Sequence, residues 1–556
     1  MWASPEEDLA SHHSDQNVGQ WPSSLFEPHS VHVSADLISK MPFFLDYYKN
    51  TMCASMVFID GPNNPYRDHV LQLAGSSQSL QHAICALSAC NLRMKRRLSL
   101  GQDTRELSEK LLADKSESGS GAGGADGGPP EDQSLSEEYQ HRNMAVHLLN
   151  QQLNDPAKSC HDSVLATILL LCHYRMVESG IAKFHTQFAG VKKILSMRRS
   201  QHYAPSRDSA WMEAIFTYFD AISASINDRE SQLNAAFYGV IPDGQLLPPG
   251  AENFVGCDRE LFKTISKLGR LNLLSQHRPV QNLAAGAAGA AGALPRNIPS
   301  RSQSPLTSPL GHAYKGSVSS VHSQLSDAYA MPAGAGGGNP HQQQRFDGNG
   351  FGTTLDDDEL MSAALCSSAG YDDHRSTFWR EWKEARLALQ GWEFDGSRLH
   401  ASLPGPATPA QVRDLGSLSE AFRYAALLYT ERLASPAVPP AHSSFQNLVS
   451  QVVYYATSLE AGSAAEKFLL WPLFVAGSEC VNELQQNIVR AKCRDIMARS
   501  GYMNNLAALD VLERLWAGEW KDEPRSPARL ASLRRGPFNW MRCIGGPGVE
   551  VEWIMF

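Results

Sequence analysis

The sequence predicts an all-α protein, a large irregular bundle or array of helices with two long disordered insertions. Three observations predict it. Apolar residues recur at spacings of three and four along most of the chain, convincing series of alternating runs are missing, and two low-complexity stretches separate the helical blocks. Of 556 residues, 42% are hydrophobic and 19% charged, a balance that supports a packed core. Because roughly 250–300 residues can share one core, one body with extruded insertions is expected.

Residues 1–38 are rich in Ser, His, Asp and Pro without sustained periodicity and read as a mobile, disordered leader. From about Leu37 to Leu112 the pattern is helical. Leu80, Ile84, Leu87 and Leu92 mark one face, and Ala83, Cys85, Ala86, Ala89 and Cys90 between them are small enough for close helix approach. The first insertion, 114–133, has a Ser/Gly-rich core running to Gly-Gly-Pro-Pro, too poor in apolar surface to offset its ordering entropy. Ser134-x-x-Glu137 then reads as a capping box ahead of Tyr139, Val146, Leu149 and Leu153. Further helices are legible at 164–177, 184–197, 211–226 and 258–274. The second insertion, 276–352, carries Ala/Gly repeats, a Gln run and the Ser304-Pro305 and Ser308-Pro309 pairs, which are candidate phosphosites. Helical signals resume from 355 to 516, broken by Pro-rich stretches at 404–409 and 436–440. Ser417-x-x-Glu420 reads as a second capping box leading into Leu418, Phe422, Ala425, Tyr429 and Leu433. The helical body thus spans 39–540 apart from its insertions. The tail, 541–556, is expected to add a short strand or pack on the body.

Composition excludes several classes. The longest strongly apolar run, Val164 to Cys172, is about half of what a membrane helix needs, and the acidic start lacks the basic and apolar regions of a secretory signal. An intracellular protein without a membrane partner is the expectation. Ten cysteines scattered through apolar segments read as buried free thiols, with no structural disulfide. The net charge of -9 leaves any nucleic-acid contact to a local patch.

Catalytic and metal chemistry find no support. Gly119-x-Gly121-x-x-Gly124 matches a dinucleotide fingerprint but lacks the strand before it and the helix after it. Ser478 lacks the glycines and strand of a nucleophile elbow. Cys85 and Cys90, five apart on one helix, point in different directions, and in Cys160-His161 and Cys172-His173 adjacent side chains diverge. These read as buried thiols and helix-surface imidazoles, and His185 as a hydrogen-bonding histidine at the core edge. No catalytic or metal residue is therefore assigned, and cofactor-binding residues stay unknown. Arg93-Met94-Lys95-Arg96-Arg97 and Lys192-Lys193 with Arg198-Arg199 read as cations complementing helix C-termini, with phosphate contact or nuclear import as the alternative. The tail cations Lys521, Arg525, Arg529, Arg534, Arg535 and Arg542 are better import candidates. Trp471, Phe474, Tyr218 and Phe219 suit core or the lining of an apolar pocket, core being favoured.

Several segments, in order, resemble the fungal-specific transcription factor domain family. They are Phe43-Phe44-Leu45-Asp46-Tyr47-Tyr48, Phe58-Ile59-Asp60-Gly61-Pro62 running to Pro65-Tyr66-Arg67, and the small-residue helix from Leu80 to Ala89. Phe184-His185-x-x-Phe188-Ala189-Gly190-Val191, Tyr218-Phe219-Asp220-Ala221-Ile222-Ser223-Ala224 and Arg259-Glu260-Leu261-Phe262 follow. Arg423-Tyr424-Ala425-Ala426, Leu470-Trp471-Pro472-Leu473-Phe474 and Leu509-x-x-Leu512-Glu513-x-x-Trp516 complete the series. The resemblance implies a nuclear regulator of RNA polymerase II transcription that is not an enzyme and acts through the transcription machinery, co-regulators or a small-molecule effector. It allows a homodimer. The zinc cluster that such regulators use to read DNA needs six cysteines in C-x-x-C-led groups, and residues 1–40 contain none. The expectation is therefore no cofactor in this chain, zinc entering only with a missing N-terminal module, and DNA reached indirectly or through that module. The rival readings are a helical scaffold or adaptor unconnected with transcription and an enzyme with a helical active site.

Overall fold

Ser34 opens the first helix by accepting the amide of Leu37 on its hydroxyl, so α1 (Ala35–Tyr47) begins inside the stretch read as leader. The computed structural model describes residues 33–99, 130–182, 184–200, 209–239, 246–280, 344–346, 352–354, 368–403, 405–518, 536–544 and 552–555. The expectations for 1–32, 114–129 and 281–343, for the Gly119 pattern, Ser304 and Ser308, Cys366 and Lys521 to Arg535 lie outside the described residues.

The N-terminal half comprises α1, α2 (Asp68–Ala74), α3 (Gln78–Ser99), α4 (Pro130–Asn154), α5 (Asp162–Glu178), β1 (Ile181–Ala182), α6 (Phe184–Ser200) and α7 (Ala210–Ile226). The small residues of α3 do what their size allows, since α3 packs against α1, α4 and α5. Its two cysteines diverge: Cys85 packs with Phe44 of α1 and Ala89, whereas Cys90 faces the main core. Helices α5 and α7 are apolar on nearly all sides and correspondingly buried, which places them at the centre. Helix α4 starts at Pro130, so Ser134 lies within it and is not its cap.

The stretch 258–274 forms two helices, α8 (Arg259–Ile265) and α9 (Leu268–Ser275), with Asp258 capping the first through the amides of Glu260 and Leu261. A Cβ at Gly269 would lie 2.4 Å from the carbonyl oxygen of Arg229, so glycine is required where α9 meets the end of α7. The second insertion departs from expectation at both ends. His277 is buried and Arg278 donates to the Asp228 carbonyl at 3.3 Å, while β2 (Gln344–Phe346) pairs antiparallel with β3 (Gly352–Thr354). The sequence between these strands holds Asp347-Gly348 and Asn349-Gly350, both hairpin-turn dipeptides.

The C-terminal half adds α10 (Ser368–Gly391), α11 (Gly396–Ser402), α12 (Pro409–Ala434), α13 (Ser443–Ser458), α14 (Leu470–Glu479), α15 (Glu483–Ser500) and α16 (Asn504–Ala517). The capping box of α12 is Thr408 with Gln411, not Ser417 with Glu420: the Thr408 hydroxyl accepts the Gln411 amide at 3.2 Å and the Gln411 side chain accepts the Thr408 amide at 2.9 Å. Pro409 sits at the first helical position, where its fixed φ is an advantage, so the proline stretch starts the helix it was expected to precede. A helical turn at Trp540–Cys543 leads to β4 (Glu552–Trp553), antiparallel to β1 with Ile181 opposite Trp553. The tail thus forms a short strand and also packs, Trp553, Ile554 and Met555 being buried.

One continuous core cluster reaches from Tyr48 to Met555, and the fold is all-α with strands confined, among the described residues, to two short pairs. No helix among them is long and apolar enough to cross a membrane. The nine described cysteines are all free and buried.

Candidate functional site

Helix α7 is apolar except for a few positions, and those organise the centre of the molecule. Asp220 is fully buried. Its Oδ1 accepts from Arg229 Nη1 at 2.6 Å, and its Oδ2 accepts from Ser231 Oγ at 2.8 Å and the amides of Gln232 at 2.6 Å and Leu233 at 2.8 Å. Four donors match the acceptor capacity of one carboxylate. The carboxylate therefore fixes the 229–233 loop. Arg229 extends the network, donating from Nε to Glu552 Oε1 at 2.7 Å. One turn further along, the Ser225 carbonyl accepts the Tyr429 hydroxyl at 2.7 Å and Ser225 Oγ accepts Trp471 Nε1 at 2.9 Å. The end of α7 is thus where both halves of the chain are pinned together.

A second polar centre lies on α5. His173, expected at a helix surface, is buried because α5 has no solvent-facing side, and its Nε2 and Nδ1 each lie 3.0 Å from a hydroxyl, of Tyr66 and Tyr502 respectively. Burial lowers its pKa to about 3, so the ring is neutral. Neighbouring Cys172 points elsewhere, its thiol donating to Gln187 Oε1 at 3.1 Å, and burial pushes its pKa up, which leaves it protonated. His161 caps α5 by accepting the Ser163 amide. His185 sits at the core edge, with Nδ1 3.8 Å from Glu552 Oε1, beyond hydrogen-bond distance, while its carbonyl accepts from Gln232 Nε2 at 2.9 Å. Ser478 donates to the Val475 carbonyl at 2.8 Å, the role of a helix serine.

The basic groups are more deeply used than the sequence suggests. Helix α3 continues to Ser99, which puts Arg93 more than a turn before its end, and Arg93 is buried against Glu138 of α4 through two hydrogen bonds of 2.8 Å. Arg198 is likewise buried, 2.8 Å from Asp162. Arg199 stays exposed but lies over the rings of Phe237 and Tyr238 at 4.3 and 4.7 Å, with Lys192 5.6 Å from Phe237. Trp471, Phe474, Tyr218 and Phe219 are all core, Trp471 stacking on Phe422 with ring centres 5.7 Å apart. Among the described residues no group of three or more His, Cys, Asp or Glu side chains is placed to hold a metal ion.

Towards solvent, a groove of about 350 Å³ runs between α1 and the region of α2 and α3, lined by Pro42, Leu45, Asp46, Lys49, Leu71 and Ala74 among others. Ile38, one turn before Pro42, is 54% exposed, and Phe43 is 56% exposed. No local pattern marks this groove, because its walls come from helices whose pairing is not encoded in neighbouring residues.

The sequence profile of the fungal specific transcription factor domain matches residues 43–551. No curated protein and no solved structure matches the chain. The matched span opens within α1 and closes just before β4, so it covers most of the core and includes His173, Asp220 and Arg229. The chain therefore belongs to the fungal specific transcription factor domain family and is a transcription regulator.

Proposed function

We propose that this chain regulates RNA polymerase II transcription in the nucleus by presenting its helical body to other proteins, and that it performs no catalysis. Family membership gives the regulatory role and supports the nuclear setting as one typical of such domains. The observation that carries the contact reading is the outer face of α1. Pro42 and Leu45 of α1 form one wall of the groove, and the exposed Ile38 lies one turn before Pro42 on the same face, while Leu37 and Phe44 anchor another side of the helix in the body. An apolar ridge held at the surface of a fixed helix suits a groove or helix on a partner. The partners in this reading are the transcription machinery or its co-regulators, with a second copy of the chain as an additional one. DNA is reached through them or through a module outside this chain, and the role needs no cofactor. A small-molecule effector is the second reading of the regulatory role that family membership supports.

Buried charges described in the interior serve structure in this reading: Arg93 with Glu138 and Arg432 with Glu479 join helices, and Asp220 with Arg229 holds the loop after α7. The test is to tether the whole chain to a reporter promoter through an unrelated DNA-binding domain. Wild type is expected to change reporter output, and Ile38→Asp to remove at least about half of that change without altering Tm, since the side chain is exposed. Full retention of the response by a normally folded Ile38→Asp chain overturns the contact surface. No response to tethered wild type favours the scaffold reading.

A further inference from the structure

The segment 552–555 is gripped in the manner of a bound peptide. Asn227 reads both backbone groups of one residue: the Trp553 amide donates to Asn227 Oδ1 at 2.9 Å, and Asn227 Nδ2 donates to the Trp553 carbonyl at 2.8 Å. The Ile554 amide donates to the Gly180 carbonyl at 3.3 Å, and Asn504 Nδ2 donates to the Ile554 carbonyl at 3.4 Å. The Glu552 carboxylate accepts from Arg229 Nε and, at 3.2 Å, from Ser223 Oγ. Side-chain amides thus carry much of the main-chain pairing, because the ladder with β1 covers only two residues. Gly180, at φ +72, lets Asn504 approach so closely that a Cβ there would lie 2.5 Å from the Asn504 Cβ.

Each of these partners is remote along the chain, 326 residues away for Asn227 and 50 for Asn504. Arg229 is already oriented by Asp220 and needs no reorganisation to receive a carboxylate. Beyond the backbone contacts the site takes an aromatic and two aliphatic side chains in succession, all buried.

We propose that this groove is a peptide-binding site for an extended segment of the pattern carboxylate, aromatic, aliphatic, aliphatic, occupied in cis by the chain's own 552–555. The segment leaves and re-enters as a unit while α5 and α7 remain folded. The inference stands apart from the α1 contact surface and does not rest on it.

Native-state hydrogen exchange on the intact chain is the primary test. The Trp553 and Ile554 amides are expected to exchange at least about 100-fold faster than those at the centres of α5 and α7, and Asn227→Ala to speed them about tenfold further while α5 and α7 stay unchanged. Equal protection in the segment and the central helices means that it opens only with the whole molecule and overturns the proposal. A second measurement uses the full chain carrying Trp553→Asp, which expels its own segment, and a fluorescent peptide of residues 549–556. Saturable binding of that peptide, absent for a scrambled one, is the expected result. Equal binding of the scrambled peptide, or failure of the Trp553→Asp chain to fold, overturns the idea, because the segment would then be unspecific or an inseparable part of the core.

Discussion

His173 and its two tyrosine partners make stability depend on pH. Burial holds the folded-state pKa at about 3, below the ordinary value of 6.5, so the unfolded chain binds a proton that the folded one refuses. The stabilisation is therefore complete above about pH 6.5 and is lost as pH falls towards the folded value, by roughly 2–3 kcal/mol at pH 4.5. His141, packed 2.9 Å from His82 and pushed down to about 4 by burial, adds to the loss in the same window. Urea midpoints measured from pH 7.5 to 4.5 are expected to fall with acidification, and to fall less in His173→Gln. An unchanged slope in that variant means that His173 is not the titrating group. Arg93 gives a second prediction. Arg93→Ala strands the buried Glu138 and is expected to cost about 3–5 kcal/mol, whereas Arg93→Met combined with Glu138→Leu costs less than the single change, read from Tm. Sequence spacing showed that these residues lie on helices. It did not show that they are buried, because that depends on what the neighbouring helix presents.

At the scale of elements, helix starts were the least legible feature. Ser417-x-x-Glu420 fits the capping pattern as well as Thr408-Pro409-Ala410-Gln411 does, and both lie ahead of the same apolar stripe. Only the path of the chain shows that Thr408 is the cap. Thr408→Ala is expected to lower stability by about 1 kcal/mol and Ser417→Ala by less than about 0.5 kcal/mol in chemical denaturation. Comparable losses at both positions would put the start of α12 elsewhere. Gly256 marks an equally specific joint: at φ +66 it ends the turn Glu252–Val255, and a Cβ would sit 2.4 Å from Cγ of Phe468. Gly256→Ala combines left-handed strain with a clash against a buried ring, an expected loss of about 2–4 kcal/mol.

Across the whole molecule, one core joins Tyr48 near the first helix to Trp540 beyond the last long helix, so the helical body has no internal boundary at which to come apart. Tryptophan fluorescence and far-UV circular dichroism are expected to report coincident unfolding transitions. Two separated transitions would mean that the halves meeting at α7 fold independently. The sequence by itself determined the all-α class, most central helices, the thiol chemistry and, through the order of several packing motifs, the family. Each of these follows from local periodicity or from short runs of neighbouring residues. Tertiary structure alone decided the roles of Asp220, Asn227, Tyr66 and Asn504, the burial of His173 and Arg93, the groove beside α1 and the docking of the last strand. All of these depend on groups tens to hundreds of residues apart, and no local pattern of apolar spacing carries information about which distant partner will complete a buried carboxylate, a histidine or a free backbone amide.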